Sequence, residues 1–257
     1  MYCAIDDDIM MYYDDTGSGE PVIFIHGSLS MGNHAFAAQI PVFRHKYRAL
    51  YPDMRGHGRT ITTTYHWETP QLAEDVIRLL DNLHIRKAHI IGHSMGGDIA
   101  MYCATRYPSR ICTITSICST GFVNDEVIRY MQLFHPEFID RKKYESFINK
   151  IKDKHALAHK GDWEIFLKTT VQNCKRYPNF TIKDLQKITM PFLLIYGECD
   201  SIVKTNEIVV LQNNVPCFKK QVIKKAGHFP HMPGQQCDEV NRVILEFLNA
   251  NAISQSV

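Results

Sequence analysis

The ten residues Ala88-His89-Ile90-Ile91-Gly92-His93-Ser94-Met95-Gly96-Gly97 constrain this chain more than any other stretch. An apolar run, His89 to Ile91, enters Gly92-His93-Ser94-Met95-Gly96, and Asp98-Ile99-Ala100-Met101-Tyr102 follows with helical spacing. The pattern reads strand, tight turn, helix, with a serine at the apex. A turn this sharp forces strained backbone on its apical residue. A side chain two positions before or after would strike the adjoining strand or helix, which is why Gly92 and Gly96 carry none. The Ser94 hydroxyl then projects above a sheet, and the helix behind it aims free N–H groups at any negative charge that develops there.

The remaining 247 or so residues, of order two hundred in round terms, suffice for one sizeable α/β core. Apolar content of 45% and charged content of 22% are those of a globular protein, and a net charge of +2 points neither to nucleic acid nor to a strongly polyanionic partner. The acidic start, Met1-Tyr2-Cys3-Ala4-Ile5-Asp6-Asp7-Asp8, has no apolar core of a signal peptide, and no run is long enough to span a membrane. The eight cysteines include no C-x-x-C pair and read as reduced thiols in a cytoplasmic protein. Cysteines and histidines nowhere fall at metal-ligand spacing, so no metal is expected.

In chain order, residues 9 to 15 read as an edge strand, and Val22-Ile23-Phe24-Ile25 as a central strand buried on both faces, running into His26-Gly27-Ser28. A helix is expected over about 34 to 45 and a strand over Tyr47 to Tyr51. The loop Asp53-Met54-Arg55-Gly56-His57-Gly58-Arg59 offers Asp53, Arg55 and His57, read chiefly as an internal network that shapes the loop. Residues 69 to 84 form an amphipathic helix with Thr69 as N-cap and Pro70 at its first position. Past Ser94 come a helix ending at Pro108 and a strand, Ile111 to Ile117. Pro191 to Gly197 is a further buried strand, with Glu198 and Asp200 just beyond it. Gln221-Val222-Ile223 is the last, leading to Gly227-His228-Phe229-Pro230-His231.

The motifs Phe24-Ile25-His26-Gly27, Asp53-Met54-Arg55-Gly56-His57-Gly58-Arg59, Gly92-His93-Ser94-Met95-Gly96-Gly97, the strand and acid at Pro191–Asp200, and Gly227-His228 stand in the order of the α/β-hydrolase superfamily, which the chain resembles over nearly all its length except the middle. The resemblance implies a mostly parallel, doubly wound sheet. Its core is expected at 1–120 and 190–257, with a helical cap at 121–189 inserted before the acid-bearing strand. It implies Ser94 as nucleophile, His228 as base and Asp200 as the acid, with Glu198 and His231 as the respective rivals. It also implies an oxyanion hole from the backbone N–H groups of Ser28 and Met95. The loop after the preceding strand, Cys118-Ser119-Thr120-Gly121, contains no carboxylate to compete with Asp200. One departure stands out: after His228 the usual acid and proline give way to Met232-Pro233-Gly234-Gln235-Gln236.

Serine at the elbow excludes the aspartate-nucleophile branches, the haloalkane dehalogenases and epoxide hydrolases. The expected activity is hydrolysis of a small carboxylic ester or lactone, without metal or organic cofactor; the general layout is similar to that of enol-lactone hydrolases. Carbon–carbon bond hydrolase and thioesterase are the alternatives on the same triad, and a non-catalytic ligand-binding protein is the alternative of another class. In the 121–189 segment, Ile128, Met131, Leu133, Phe134, Phe138, Phe147, Ile148 and Ile151 alternate with charges that include Lys150, Lys152 and Lys154. Its apolar face is expected to roof the pocket, and its basic excess to be a solvated surface. Trp163 and Phe166 could line the pocket or pack the segment.

Overall fold

The computed structural model describes residues 1–252. Nine strands form one sheet among them. They are β1 (Tyr2–Asp6), β2 (Ile9–Thr16), β3 (Glu20–Ile25), β4 (Tyr47–Pro52), β5 (Ile61–Thr62), β6 (Ala88–His93), β7 (Ile111–Ile117), β8 (Phe192–Gly197) and β9 (Phe218–Ile223). The helices are α1 (Gly32–Ala35), α2 (Ile40–Phe43), α3 (Thr69–Asn82), α4 (Met95–Arg106), α5 (Asp125–Gln132), α6 (Glu145–Lys154), α7 (Trp163–Arg176), α8 (Ile182–Leu185), α9 (Thr205–Asn214) and α10 (Cys237–Asn249).

The strand order is β1-β2-β4-β3-β6-β7-β8-β9, with β5 beside β2. From β4 to β9 every pairing is parallel. The pairings of β2 with β1, β4 and β5 are antiparallel. Alternate residues of the central strands feed two cores. Ile23, Ile25, Ile90, Phe192 and Leu194 pack on the α3 and α4 side. Val22, Phe24, Ile91, Leu193 and Ile195 pack on the α2 and α10 side. Burial on both faces is why these strands are continuous apolar runs rather than alternating ones. On the α10 side Phe24 stacks on Tyr51 at 4.8 Å and meets Phe43 edge-on at 5.0 Å.

Three local expectations change. Residues 9–15 are not at the edge, because Tyr2–Asp6 pairs outside them. Only Ile5 of that outer strand is buried, so it lacks the alternation that marks a strand in sequence. The helix expected over 34–45 is two four-residue helices, α1 and α2. Pro41 has no N–H and its ring disfavours helical backbone before it, so one helix cannot run through. Thr69 is the first residue of α3 rather than its cap. Its N–H is taken instead by the Asn173 side-chain oxygen at 2.9 Å, a partner a hundred residues away in sequence.

The 121–189 segment holds α5 to α8 and no strand of the sheet among the described residues. Its two ends meet in an antiparallel bridge between Phe122 and Asn179. It has apolar clusters of its own, one around Ile148, Ile151 and Phe166 and one around Met131, Val171 and Cys174. Leu133 and Phe138, expected to roof a pocket, are more than half exposed. No described helix is long and apolar enough to cross a membrane.

Candidate active site

Ser94 sits between β6 and α4 with φ 52° and ψ −121°, a conformation L-residues rarely adopt. The glycines around it are there for space. A Cβ on Gly92 would lie 2.0 Å from the Gly96 carbonyl oxygen, and one on Gly96 would lie 2.0 Å from the Ile25 carbonyl oxygen. The turn is tied to the neighbouring strand by the Ser94 N–H, which donates to the Ile117 carbonyl at 2.8 Å. Met95 opens α4, so its N–H has no partner within the helix. The N–H groups of Ser28 and Met95 make no hydrogen bond to another described residue. Neither does the Ser94 hydroxyl. In ligand-free sites of this kind the serine–histidine contact is often long and tightens only with substrate.

The Ser28 loop is held from below by the Asp53–Arg59 loop, which is the internal network expected of it. The His57 ring lies between the carbonyl oxygens of Ser28 at 2.8 Å and Arg55 at 3.0 Å. Burial pushes its pKa down to about 3, so it is neutral and donates one N–H. His26 accepts from the Met54 N–H at 3.0 Å and donates from Nδ1 to the Gly27 carbonyl at 2.9 Å. Arg55 forms a buried two-pronged pair with Asp75, and Asp53 accepts from the Gly32 N–H and from Arg59.

Beyond β8 the two candidate acids separate cleanly. Glu198 is exposed and pairs with Lys224 at 2.8 Å. The Asp200 side chain is buried and accepts from His228 Nδ1 at 2.9 Å on one oxygen and from the Ile202 N–H at 2.9 Å on the other. Burial alone would raise its pKa, but the hydrogen bond and charge of His228 and the Ile202 N–H outweigh burial and hold it below the usual carboxylate range. With Nδ1 donating to Asp200, the other His228 ring nitrogen is left to act elsewhere. Its rival His231 is fully buried, and neither of its ring nitrogens has a partner among the described residues. Its ring lies tilted against that of His93, centroids 4.3 Å apart.

Three contributors were not evident from sequence. His93, the variable position before Ser94, donates from Nε2 to the His228 carbonyl at 2.8 Å and so braces the loop that lacks the usual acid. Cys118, where the neighbouring loop has no carboxylate, is buried, and its thiol faces Asp200. Burial and the Asp200 charge push that thiol's pKa well above its ordinary value. It therefore donates its proton to Asp200 rather than binding as a thiolate, and Asp200 and His228 already engage each other, so this trio is poorly disposed to hold a metal. Asp98, in the first turn of α4, accepts from the Ser119 hydroxyl, and burial pushes its carboxyl up to about 8.

Two cavities open at Ser94. The larger, about 450 Å³, is mainly apolar and is lined by Ser28, Ser94 and His228 from the core and by Val127, Met131 and Phe147 from the inserted segment. The other, about 50 Å³, is lined by Met95, Asp98, Ser119 and Thr120 among others and is of water size. Trp163 and Phe166 line neither. Phe166 is fully buried and stacks on His155 at 4.1 Å.

Residues 20–176 match the family model described as alpha/beta hydrolase fold. Among curated relatives, the chain is 27% identical over 266 residues to a 2-hydroxy-6-oxononadienedioate/2-hydroxy-6-oxononatrienedioate hydrolase of Burkholderia vietnamiensis, covering 94% of this chain and 91% of that one. Among solved structures it superposes on a thermophilic esterase from Thermogutta terrifontis with a TM-score of 0.76 at 22% identity, over 95% of each chain. It superposes on the enol-lactonase from Burkholderia xenovorans with a TM-score of 0.77 at 18% identity, over 97% of this chain and 100% of that one. A parallel sheet with a strained serine between its central strand and the following helix, matched by the family model over more than half the chain, makes this protein a member of the alpha/beta hydrolase fold family and an enzyme of the hydrolase type.

Proposed function

We propose that the chain hydrolyses small carboxylic esters or lactones through an acyl-enzyme. The observation that carries this reading is the 2.9 Å Asp200–His228 bond, opening onto the same cavity as the strained Ser94. In this reading Ser94 Oγ attacks the carbonyl carbon as its proton passes to His228. Asp200 keeps the imidazole in the required tautomer and stabilises the imidazolium. The N–H groups of Ser28 and Met95 receive the oxyanion, each typically worth about 3 kcal/mol of barrier. The intermediate collapses, the alcohol leaves with the proton from His228, and water, deprotonated by His228, releases the acid and restores Ser94. The 121–189 segment serves as a cap whose Val127, Met131 and Phe147 bound the acyl or alcohol portion. The chemistry asks for no cofactor, and the eight unpaired cysteines fit a reducing, cytoplasmic setting.

Carbon–carbon bond hydrolysis is the second reading on the same residues; the Burkholderia vietnamiensis relative is named as a hydrolase of 2-hydroxy-6-oxononadienedioate and 2-hydroxy-6-oxononatrienedioate. A panel of p-nitrophenyl esters of increasing acyl length, simple lactones and thioesters, with Ser94→Ala as control, tests the proposal. Ester or lactone turnover that falls about a thousandfold or more in Ser94→Ala is expected. Absence of turnover, with Ser94 also unreactive toward a fluorophosphonate, would sink it in favour of a binding protein.

A further inference from the structure

The larger cavity contains one full positive charge and nothing to neutralise it. Lys154 closes α6 and lines the cavity together with Ser94 and His228. Among the described residues it makes no ion pair, no hydrogen bond and no contact with an aromatic face. Two other cations of the segment are engaged elsewhere: Arg141 pairs with Glu164 at 2.9 Å, and Lys152 sits over the Trp163 ring. No carboxylate lines the cavity. Its other titratable groups are His34, His93, His228, His231, Tyr130, Tyr144 and Cys174, none of them an anion at neutral pH; burial pushes the Cys174 thiol up to about 11. Burial and the nearby Lys150 both push the Lys154 pKa down, which registers the cost of leaving this ammonium unpaired. The C-terminal carbonyls of α6 favour a cation at this position, but they account for its tolerance and not for its facing the cavity that Ser94 faces.

We infer that Lys154 is the binding group for a carboxylate at the end of the substrate remote from the scissile bond, so that the preferred substrate is a half-ester, a carboxylated lactone or an ester of a hydroxy acid. This rests on the reading of the Ser94 cavity as the substrate site. A carboxylate fits better than a phosphate monoester, because a single lysine matches a single negative charge, whereas a phosphate dianion would leave one charge buried and unpaired. A cavity of about 450 Å³ is within the range of small-molecule sites.

The test compares kcat/KM for pairs of esters that differ only in a terminal carboxylate against its methyl ester. One series carries the carboxylate on the acyl chain and the other on the alcohol, in the wild type, Lys154→Met and Lys154→Arg. The reading is the acid-to-neutral ratio, so a general loss of activity in a variant cancels. A wild-type ratio of about ten or more in one series, reduced at least tenfold in Lys154→Met chiefly through KM and largely kept in Lys154→Arg, is expected. The series that responds assigns the carboxylate to the acyl or the alcohol side. A ratio near one in both series, or one unmoved by Lys154→Met, overturns the inference while leaving ester hydrolysis intact. If no ester turns over, calorimetry with monomethyl adipate and dimethyl adipate decides. Tighter binding of monomethyl adipate that is lost in Lys154→Met supports the inference, and equal binding overturns it.

Discussion

The core around Ser94 and the inserted helices above it are built by different means. Around Ser94 the backbone dictates position. A Cβ on either Gly92 or Gly96 would lie 2.0 Å from a backbone carbonyl oxygen, and Ser94 is tied to β7 through its N–H. The inserted segment is held by side chains. His155 accepts from the Gly58 N–H at 2.8 Å, His159 donates to the Gly56 carbonyl at 2.8 Å, and Asn173 caps the start of α3 at Thr69. Two of its apolar clusters are small and separate from the two cores of the sheet, while Phe180, Leu185 and Ile188 near its end join the core on the α3 and α4 side. The comparison teaches that the turn carrying Ser94 is fixed by backbone sterics, whereas the 121–189 segment is fixed by exchangeable side-chain contacts that could be altered without disturbing that turn.

The largest test contrasts two carboxylates of one loop. Asp200→Asn is expected to lower kcat by about ten-thousandfold through loss of the right His228 tautomer. Glu198→Gln, which loses an exposed ion pair with Lys224, stays within about twofold. Steady-state kinetics on the same ester decides, and equal effects would break the assignment of the acid.

A middle-sized effect separates the two regions. His155→Leu leaves the buried Gly58 N–H without an acceptor, at a cost of about 1–3 kcal/mol. Its Tm is expected to fall by roughly 3–6 °C, with KM raised several-fold. The rate of Ser94 labelling by a small fluorophosphonate should hold to about twofold if the elbow is independent of the segment. A parallel collapse of labelling would show the two regions to be one cooperative unit.

The smallest effect belongs to Asp98. Its folded-state pKa, pushed up to about 8, lies above the ~4 of an unfolded aspartate. Between those values the folded chain keeps a proton that the unfolded chain has lost, so this group lowers stability progressively as pH rises through that window. Asp98→Asn removes the titration. Its Tm relative to wild type is expected to climb by a few degrees from about pH 4 to pH 8, and a flat difference in thermal melts would contradict this.

How much of this was legible beforehand follows the same division. Strand–turn–helix periodicity, the glycines around Ser94 and the order Ser94, Asp200, His228 are local patterns, and local patterns survive in a linear reading. Pro41 is equally visible, and its missing N–H marks where a single 34–45 helix gives way to a second short one. The outer strand Tyr2–Asp6 escaped because an edge strand with one buried residue has no periodicity to detect.

The sequence by itself determined the sheet's central strands, the elbow and the candidate chemistry, because each rests on residues adjacent in the chain or on backbone sterics that admit only glycine. Only the tertiary structure decided that Glu198 turns to Lys224 while Asp200 turns to His228, that Cys118 meets Asp200 and His93 meets the His228 carbonyl, that Phe166 packs inside the segment, and that Lys154 alone among its basic neighbours faces the Ser94 cavity. Which way a side chain points depends on what packs against it, and those neighbours come from anywhere in the chain.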